Sequence, residues 1–303
     1  MTHREFFESL RARGPLRVIS QSGSSALLLV SLLAATAAAA EPVRVATLLP
    51  YVEDALGRTG GVEIVSTVRR DLDTPPKAPM LDLGSPHAPS FEKLAEARPQ
   101  VIVGDRQLHG ALRDKLARSG AEVVLVGSDT VDATFDGLLE VGQRCGVEAP
   151  MAAQVDTARR ALGGLALAQR TPALVVLGTP GSFLVVSNRT WLGDLVTRLN
   201  FDNVGAAAGG QERHPGFVQV SDEVLAGLRP EVVLMVAHGD PEAIRAAFTK
   251  RLDGGGPWAG MRAAAVRGVH VLPPALFSQN PGLAVSEAAK HLHDLAVSRV
   301  SAR

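Results

Sequence analysis

The sequence predicts an α/β fold of two α/β lobes joined by a single long connector helix, with a cleft between the lobes. Three observations carry this reading. From residue 41 onward, short apolar runs alternate with amphipathic stretches, the pattern of parallel strands joined by helices. The alternation breaks once, at an alanine-rich helical stretch after Pro150, and then restarts. One phrase also recurs. Glu92 to Val103 reads as helix, Arg98-Pro99, then strand; Glu223 to Leu234 repeats it around Arg229-Pro230, with the glutamate seven residues before the proline both times. Such a duplication predicts two similar lobes facing each other.

The first forty residues read as a targeting segment. Arg4, Arg11, Arg13 and Arg17 form a positive start, 26–33 is a short apolar run, and Ala38-Ala39-Ala40 is a small-residue cleavage site. The apolar run falls short of the ~20 residues that a membrane span needs. A cleaved signal peptide over 1–40 and a periplasmic or otherwise extracytoplasmic location are therefore expected.

The elements follow in order. Strands are predicted at 43–49 and 63–68, with a helix at 52–56 between them and a proline-rich loop over 74–89. A helix at 91–97 carries Ser90 as N-cap. Strands at 101–103 and 122–126 flank a helix at 108–119 closed by Gly120. This first lobe spans 41–150. The connector helix is placed within 151–170, with Met151 to Gln169 helical although Gly163-Gly164 weakens it by ~1 kcal/mol per glycine; one continuous doubly wound domain with a long helix is the alternative. The second lobe, 171–303, has strands at 173–177, 231–236 and 269–272. Its predicted helices lie at 191–199, 224–228, 241–251 and 283–297.

Composition excludes several classes. Lys+Arg and Asp+Glu each total 31, and a formal charge of zero does not suit a phosphate backbone. Cys145 is the only cysteine, so an internal disulfide, a zinc finger and an iron–sulfur cluster are out of reach. The turn Gly178-Thr179-Pro180-Gly181-Ser182 lacks the lysine of a phosphate-binding loop and the spacing of a dinucleotide fingerprint.

The repeated phrase and the connector between α/β lobes resemble the helical-backbone class of ABC-importer substrate-binding proteins, which serve uptake of siderophores, cobalamin and heme. Within the class, the chain resembles the heme-receptor lipoproteins of the iron-regulated surface determinant system. The stretches that carry this are Gly178 to Val186, Trp191 to Val196, Ala237 to Glu242, and Trp258 followed by Ala263 to His270. The resemblance covers nearly the whole chain after the targeting segment. It implies a ligand cleft between the lobes, no enzymatic activity, heme as the transported ligand, an ABC permease at the cytoplasmic membrane as partner, and a monomer. Two departures stand out: no lipid-anchoring cysteine follows the apolar run, and the Gly-x-Pro-Met of the lipoproteins is Gly84-Ser85-Pro86-His87 here.

On that resemblance, His87 and His238 are the candidate axial ligands of heme iron, one per lobe. Neutral imidazole is a good iron ligand. His87 lies between Pro86 and Pro89, which are expected to hold its loop extended; an exposed loop histidine is the alternative. His238 follows an apolar strand, where ligands of open α/β sheets bind; a helix-capping or core histidine is the alternative. Arg189, Arg106 and Lys77 are candidate partners of the heme propionates, or solvated surface charges. Tyr51, the only tyrosine, is placed as wall lining, with stacking or iron ligation open. His109, His214, His270, His291 and His293 show no ligand-like grouping, and the last two read as surface residues. Glu92 and Glu223 are candidate permease-docking residues, because in the resembling class a glutamate near this place on each lobe contacts the permease; helix N-terminal glutamates stabilised by the macrodipole are the alternative. Two readings compete with heme delivery: capture of a ferric siderophore or cobalamin, and an exported α/β enzyme.

Overall fold

The computed structural model describes residues 41–69, 79–180, 182–255, 260–261 and 268–297. The targeting segment, Lys77, Gly181, Trp258 and 263–267 lie outside the described residues.

The chain is a mixed α/β protein with two large sheets. The first is built from β1 (Val43–Thr47), β2 (Val62–Thr67), β3 (Leu81–Asp82), β6 (Val101–Asp105) and β7 (Glu122–Val126), in the order β3-β2-β1-β6-β7. All its pairings are parallel, so every carboxyl end reaches the same edge. A separate hairpin, β4 (Gly84–Ser85) with β5 (Ala88–Pro89), follows β3. The helices of this part are α1 (Pro50–Gly57), α2 (Phe91–Ala97), α3 (Arg106–His109) and α4 (Arg113–Ala117). Pro50, expected to end a strand, instead opens α1, where its missing N–H costs nothing. The single helix expected over 108–119 is broken into α3, a 3₁₀ turn (Gly110–Leu112) and α4. Asp105 caps α3 a turn earlier than the apolar pattern suggested.

Two helices follow the first sheet. α5 (Val131–Arg144) was not expected from the sequence; it is capped by the Thr130 side chain and buries Val131, Thr134, Phe135, Leu138 and Val141. α6 (Glu148–Leu162) replaces the expected helix over 151–169. It begins three residues early and stops at Gly163-Gly164, where Gly164 takes φ +82, a left-handed conformation that glycine adopts without strain. The α6 residues Met151, Val155 and Ala158 form its buried stripe, and Gln154 Nε2 donates to the Ala55 carbonyl of α1 at 3.2 Å.

The second sheet contains β8 (Thr171–Gly178), β9 (Phe183–Val186), β10 (Phe201–Asn203), β11 (Gln211–His214), β12 (Phe217–Gln219), β13 (Val232–Ala237) and β14 (Val269–Val271). Its order is β11-β12-β9-β8-β13-β14. The remaining strand, β10, pairs with the first residues of β8 while β9 pairs with the last. β8, β10, β13 and β14 run parallel; β9 runs antiparallel to β8. The helices here are α7 (Trp191–Arg198), α8 (Asp222–Gly227), α9 (Pro241–Asp253), α10 (Pro274–Phe277) and α11 (Val285–Val297).

The duplicated phrase has a structural counterpart. β6 lies between β1 and β7, and β13 between β8 and β14. Each follows a short helix whose N-cap is a serine, Ser90 or Ser221, accepting from the N–H three residues on. One buried apolar cluster runs through both sheets, from Val45 and Val103 through Phe135, Met151 and Leu292 to Ala173 and Leu234. Polar bonds cross between the same regions. The Asp194 carboxylate in α7 accepts from the Val131 N–H at 2.9 Å, and Arg198 bridges Asp194 and Asp132 at 2.7 Å each. Asn280 Nδ2 donates to the Ser128 carbonyl at 3.0 Å and to the Thr134 hydroxyl at 2.8 Å.

Candidate functional site

Parallel sheets offer ligand sites beyond their carboxyl ends, where loops are free to diverge and no further strand residues pair. The second sheet presents His238 at such an end. β13 is entirely buried through Ala237, and the chain becomes exposed at His238. The His238 N–H donates to the Gly178 carbonyl at 2.8 Å, which binds it to the last residue of β8. Gly239 then turns the chain at φ +126, and Asp240 caps α9 by accepting from the Ala243 N–H at 2.7 Å. The imidazole therefore stands exposed on a tightly specified strand-to-helix turn, and the cap is provided by Asp240, not by the histidine.

His87 belongs to the first sheet's carboxyl edge. It sits with Pro86 at the two-residue turn of the β4–β5 hairpin, so the loop is folded back on itself instead of extended as expected. Proline at the first turn position presets the required φ, which favours the hairpin over an extended strand. The hairpin base is held firmly. Arg69 N–H donates to the Gly84 carbonyl at 2.9 Å, and Ser90 N–H to the Leu83 carbonyl at 2.8 Å. Asp82 accepts from the Gly84 N–H at 2.8 Å and pairs with the Arg69 guanidinium at 2.6 Å, which holds the Asp82 carboxyl below its usual value. The His87 side chain is exposed.

The side chain that links the turn of this hairpin to the end of β6 is His109, which the sequence reading set aside. It is 0% exposed. Its Nδ1 accepts from the Asp105 N–H at 2.8 Å, and its Nε2 lies 2.9 Å from the Pro86 carbonyl. Burial pushes its pKa down. Asp105, only 7% exposed, caps α3 through Oδ1 at 2.8 Å from Gln107 N and 2.7 Å from Leu108 N, while Oδ2 accepts from the Ser128 hydroxyl at 2.5 Å. A histidine four residues after the last residue of a strand was the available signal; its partner, 23 residues upstream, was not visible in the pattern.

Tyr51 does not line an open wall. It is 4% exposed, and its hydroxyl makes no hydrogen bond among the described residues. Burial first, and the nearby Asp105 carboxylate second, raise its pKa far above the ordinary phenol. Gly282 lies against it so closely that a Cβ there would be 2.6 Å from the Tyr51 Cβ. The geometry makes Tyr51 a packed core residue beneath the edge.

The two described candidate cations part ways. Arg106 is exposed at the carboxyl end of β6, with Nη2 donating to the Leu125 carbonyl at 3.2 Å. Arg189 follows β9, which runs back along β8. Asn188, its neighbour, accepts from Asn203 Nδ2 at 3.0 Å, level with Ala173. Ala173 and Gly178 are five residues apart on one strand, so this segment lies roughly 16 Å along the sheet from the His238 end. Arg189 is also paired with Glu212 at 2.6 Å. The structure thus brings His87, His109 and Arg106 to one edge, puts His238 on the other sheet's edge, and separates Arg189 from it.

Glu92 and Glu223 are each the second residue of a serine-capped helix, α2 or α8, and both are exposed. The Ser221 hydroxyl holds the Glu223 carboxyl below its usual value. Of the remaining histidines, His291 and His293 are half-buried and not surface residues: His291 packs against the Phe277 ring and His293 Nδ1 lies 2.8 Å from the Leu165 carbonyl. An open groove of about 590 Å³ lies along α9, lined by Arg245, Thr249, Lys250 and Asp253, and contains neither candidate ligand. No helix among the described residues is long and apolar enough to cross a membrane.

Comparison with known proteins adds three findings. Residues 51–276 match the family described as periplasmic binding protein. The high-affinity heme uptake system protein IsdE of Staphylococcus aureus is 20% identical over 219 residues, which cover 71% of this chain and 73% of the relative. Among solved structures, an ABC transporter substrate-binding protein from Listeria monocytogenes superposes with a TM-score of 0.71 at 18% identity, covering 84% of this chain and 98% of that one. S. aureus IsdE complexed with heme gives 0.69 at 18% identity with the same coverage. S. aureus SirA complexed with staphyloferrin B gives 0.65 at 16% identity, covering 84% and 93%.

Proposed function

The chain belongs to the periplasmic binding protein family, and on that premise we propose that it is an extracytoplasmic heme-binding protein that delivers heme to an ABC importer for iron and heme uptake. The family and its solved neighbours are substrate-binding proteins, which supports a capture role over a catalytic one. The observation that carries the heme reading is the pair of exposed imidazoles, His87 and His238, one at the carboxyl edge of each sheet. Each would supply one axial bond to heme iron. Arg106 is the propionate partner on this reading, since it stands on the His87 edge. Tyr51 serves by packing beneath that edge, and Arg189 is left to its ion pair with Glu212. The proposed limits remain two lobes, 41–150 and 171–303, with a connecting segment at 151–170 that holds most of α6 (Glu148–Leu162).

The test is a hemin titration followed by absorption. The wild-type chain should give a six-coordinate low-spin spectrum, and His87→Ala a five-coordinate or water-bound one. A wild-type spectrum that is already five-coordinate would remove the two-histidine arrangement. A second reading, capture of a ferric siderophore, is favoured by the likeness to SirA complexed with staphyloferrin B. In that case a ferric chelate, not hemin, should raise the melting temperature by mass action.

For delivery, Glu92 and Glu223 are the proposed docking contacts with the permease. An exposed pair contributes ~1 kcal/mol or less, so two of them act mainly by orienting the complex. The Glu92→Ala, Glu223→Ala double variant should keep its hemin affinity and show slower uptake through the reconstituted importer. Normal uptake would remove the docking role, and lost hemin binding would move these residues into the ligand site.

A further inference from the structure

We propose that His109 is a positioning residue that ties the 84–89 hairpin to the end of β6 and so sets where His87 stands. The role assigned to His87 rests on the heme reading above; the tether itself does not.

Among the described histidines, His109 alone is buried. Its two partners are backbone groups whose roles cannot change. The Asp105 N–H can only donate, so Nδ1 must be the acceptor; the Pro86 carbonyl can only accept, so Nε2 must carry the proton. The neutral ring with its proton on Nε2 is therefore specified by geometry. Phenylalanine would place a slightly larger apolar ring there and make neither bond.

The Pro86 carbonyl matters because of what shares its peptide plane. The N–H of that plane is His87's own, and it donates to the Ser85 hydroxyl at 3.2 Å. Both polar groups of one peptide unit are thus bonded, the carbonyl to His109 and the N–H to Ser85. A planar peptide held at both ends fixes the direction in which the His87 Cα leaves it. The other end of the tether is equally constrained. Asp105 is the last residue of β6, caps α3 and takes the Ser128 hydroxyl bond. Gly104 leaves the ring its room: a Cβ there would lie 3.0 Å from Nδ1 and 3.1 Å from Leu125 Cδ2. The hairpin's own ladder is only two residue pairs long, too short to hold its apex without such an anchor.

The experiment uses the full chain with His109→Phe, which keeps a flat aromatic ring, somewhat larger, without its polar atoms, and His109→Gln, which keeps one donor and one acceptor. Hydrogen exchange of the hemin-free protein and a hemin titration are read together. His109→Phe should speed exchange within 83–90 while strands β8 and β13 stay protected, weaken hemin binding on the order of tenfold, and shift the iron toward the spectrum of His87→Ala. His109→Gln should restore part of each. In a His87→Ala background, His109→Phe should cost nothing further, because its effect passes through His87. Should His109→Phe fail to fold, Ser85→Ala frees the other end of the same peptide from a half-buried position and should shift exchange and spectrum in the same direction. Unchanged exchange over 83–90 in folded His109→Phe and in Ser85→Ala overturns the tether. A full additional loss of hemin binding in the His87→Ala background overturns action through His87. A wild-type spectrum that hemin does not change overturns the heme reading and with it the ligand-positioning role, while the exchange result still decides the tether.

Discussion

Replacing His238 with alanine is expected to weaken hemin binding at least about tenfold, ~1.4 kcal/mol, and to change the Soret band. The imidazole leaves the buried strand β13 at the carboxyl edge of the second sheet, and its backbone is bonded to Gly178. The surrounding turn does not depend on it, since Asp240 caps α9. The alanine variant should therefore fold with wild-type stability, and any spectral change can be assigned to the lost ligand. Absorption and hemin titration of the variant check this. An unchanged spectrum and affinity would take His238 out of the site and leave the SirA-like chelate reading as the stronger one.

The largest effect on stability is expected from Gly193→Ala. A Cβ at this position would lie 2.0 Å from the Ser187 carbonyl oxygen, 2.7 Å from its carbon and 2.8 Å from Asn188 Cα. All three are backbone atoms of a segment that is wound tightly under α7. The Thr190 hydroxyl donates to the Ser187 carbonyl at 3.0 Å and accepts from the Gly193 N–H at 3.1 Å. The helix must lift, and with it the buried Leu192, Leu195 and Val196 and the Asp194 bond to Val131. A loss of about 3 kcal/mol is expected, read as a lower denaturant midpoint at unchanged slope. Gly57→Ala is the control. It lies at the end of α1 with no neighbouring atom within 4 Å of an added Cβ, and alanine there should be neutral or stabilise by up to about 1 kcal/mol. Equal stabilities of the two variants would contradict the packing described for α7.

Much of the fold was legible because it is encoded locally. Ser90 before Phe91 and the apolar runs at 122–126 and 231–236 state their elements within a few residues, and the structure has them within one residue of the expected bounds. The helix α5 was not legible. Gly137 and Gly142 lower its helix propensity, and the reason for them is tertiary. A Cβ on Gly137 would come within 2.8 Å of Val126 Cβ, and one on Gly142 within 2.8 Å of Met151 Cβ. The glycines allow α5 to lie close against β7 and α6, and packing there outweighs propensity. The reversal of β9 was also hidden, because an apolar run does not state its direction; this separated Arg189 from His238.

The candidate site divides along the same line. The sequence by itself determined that the chain alternates strands and helices in two related halves, and that histidines stand at Pro86-His87 and Ala237-His238. Those features are local periodicity and local turn chemistry. Only the tertiary structure decided which groups those histidines live beside. His109 meets Pro86 across 23 residues through one hydrogen bond, Tyr51 is closed in by Gly282 from the other end of the chain, and Asn280 reaches Ser128 and Thr134. Such contacts depend on close packing and on bond directions between distant segments, and neither is written in the period of a hydrophobic pattern.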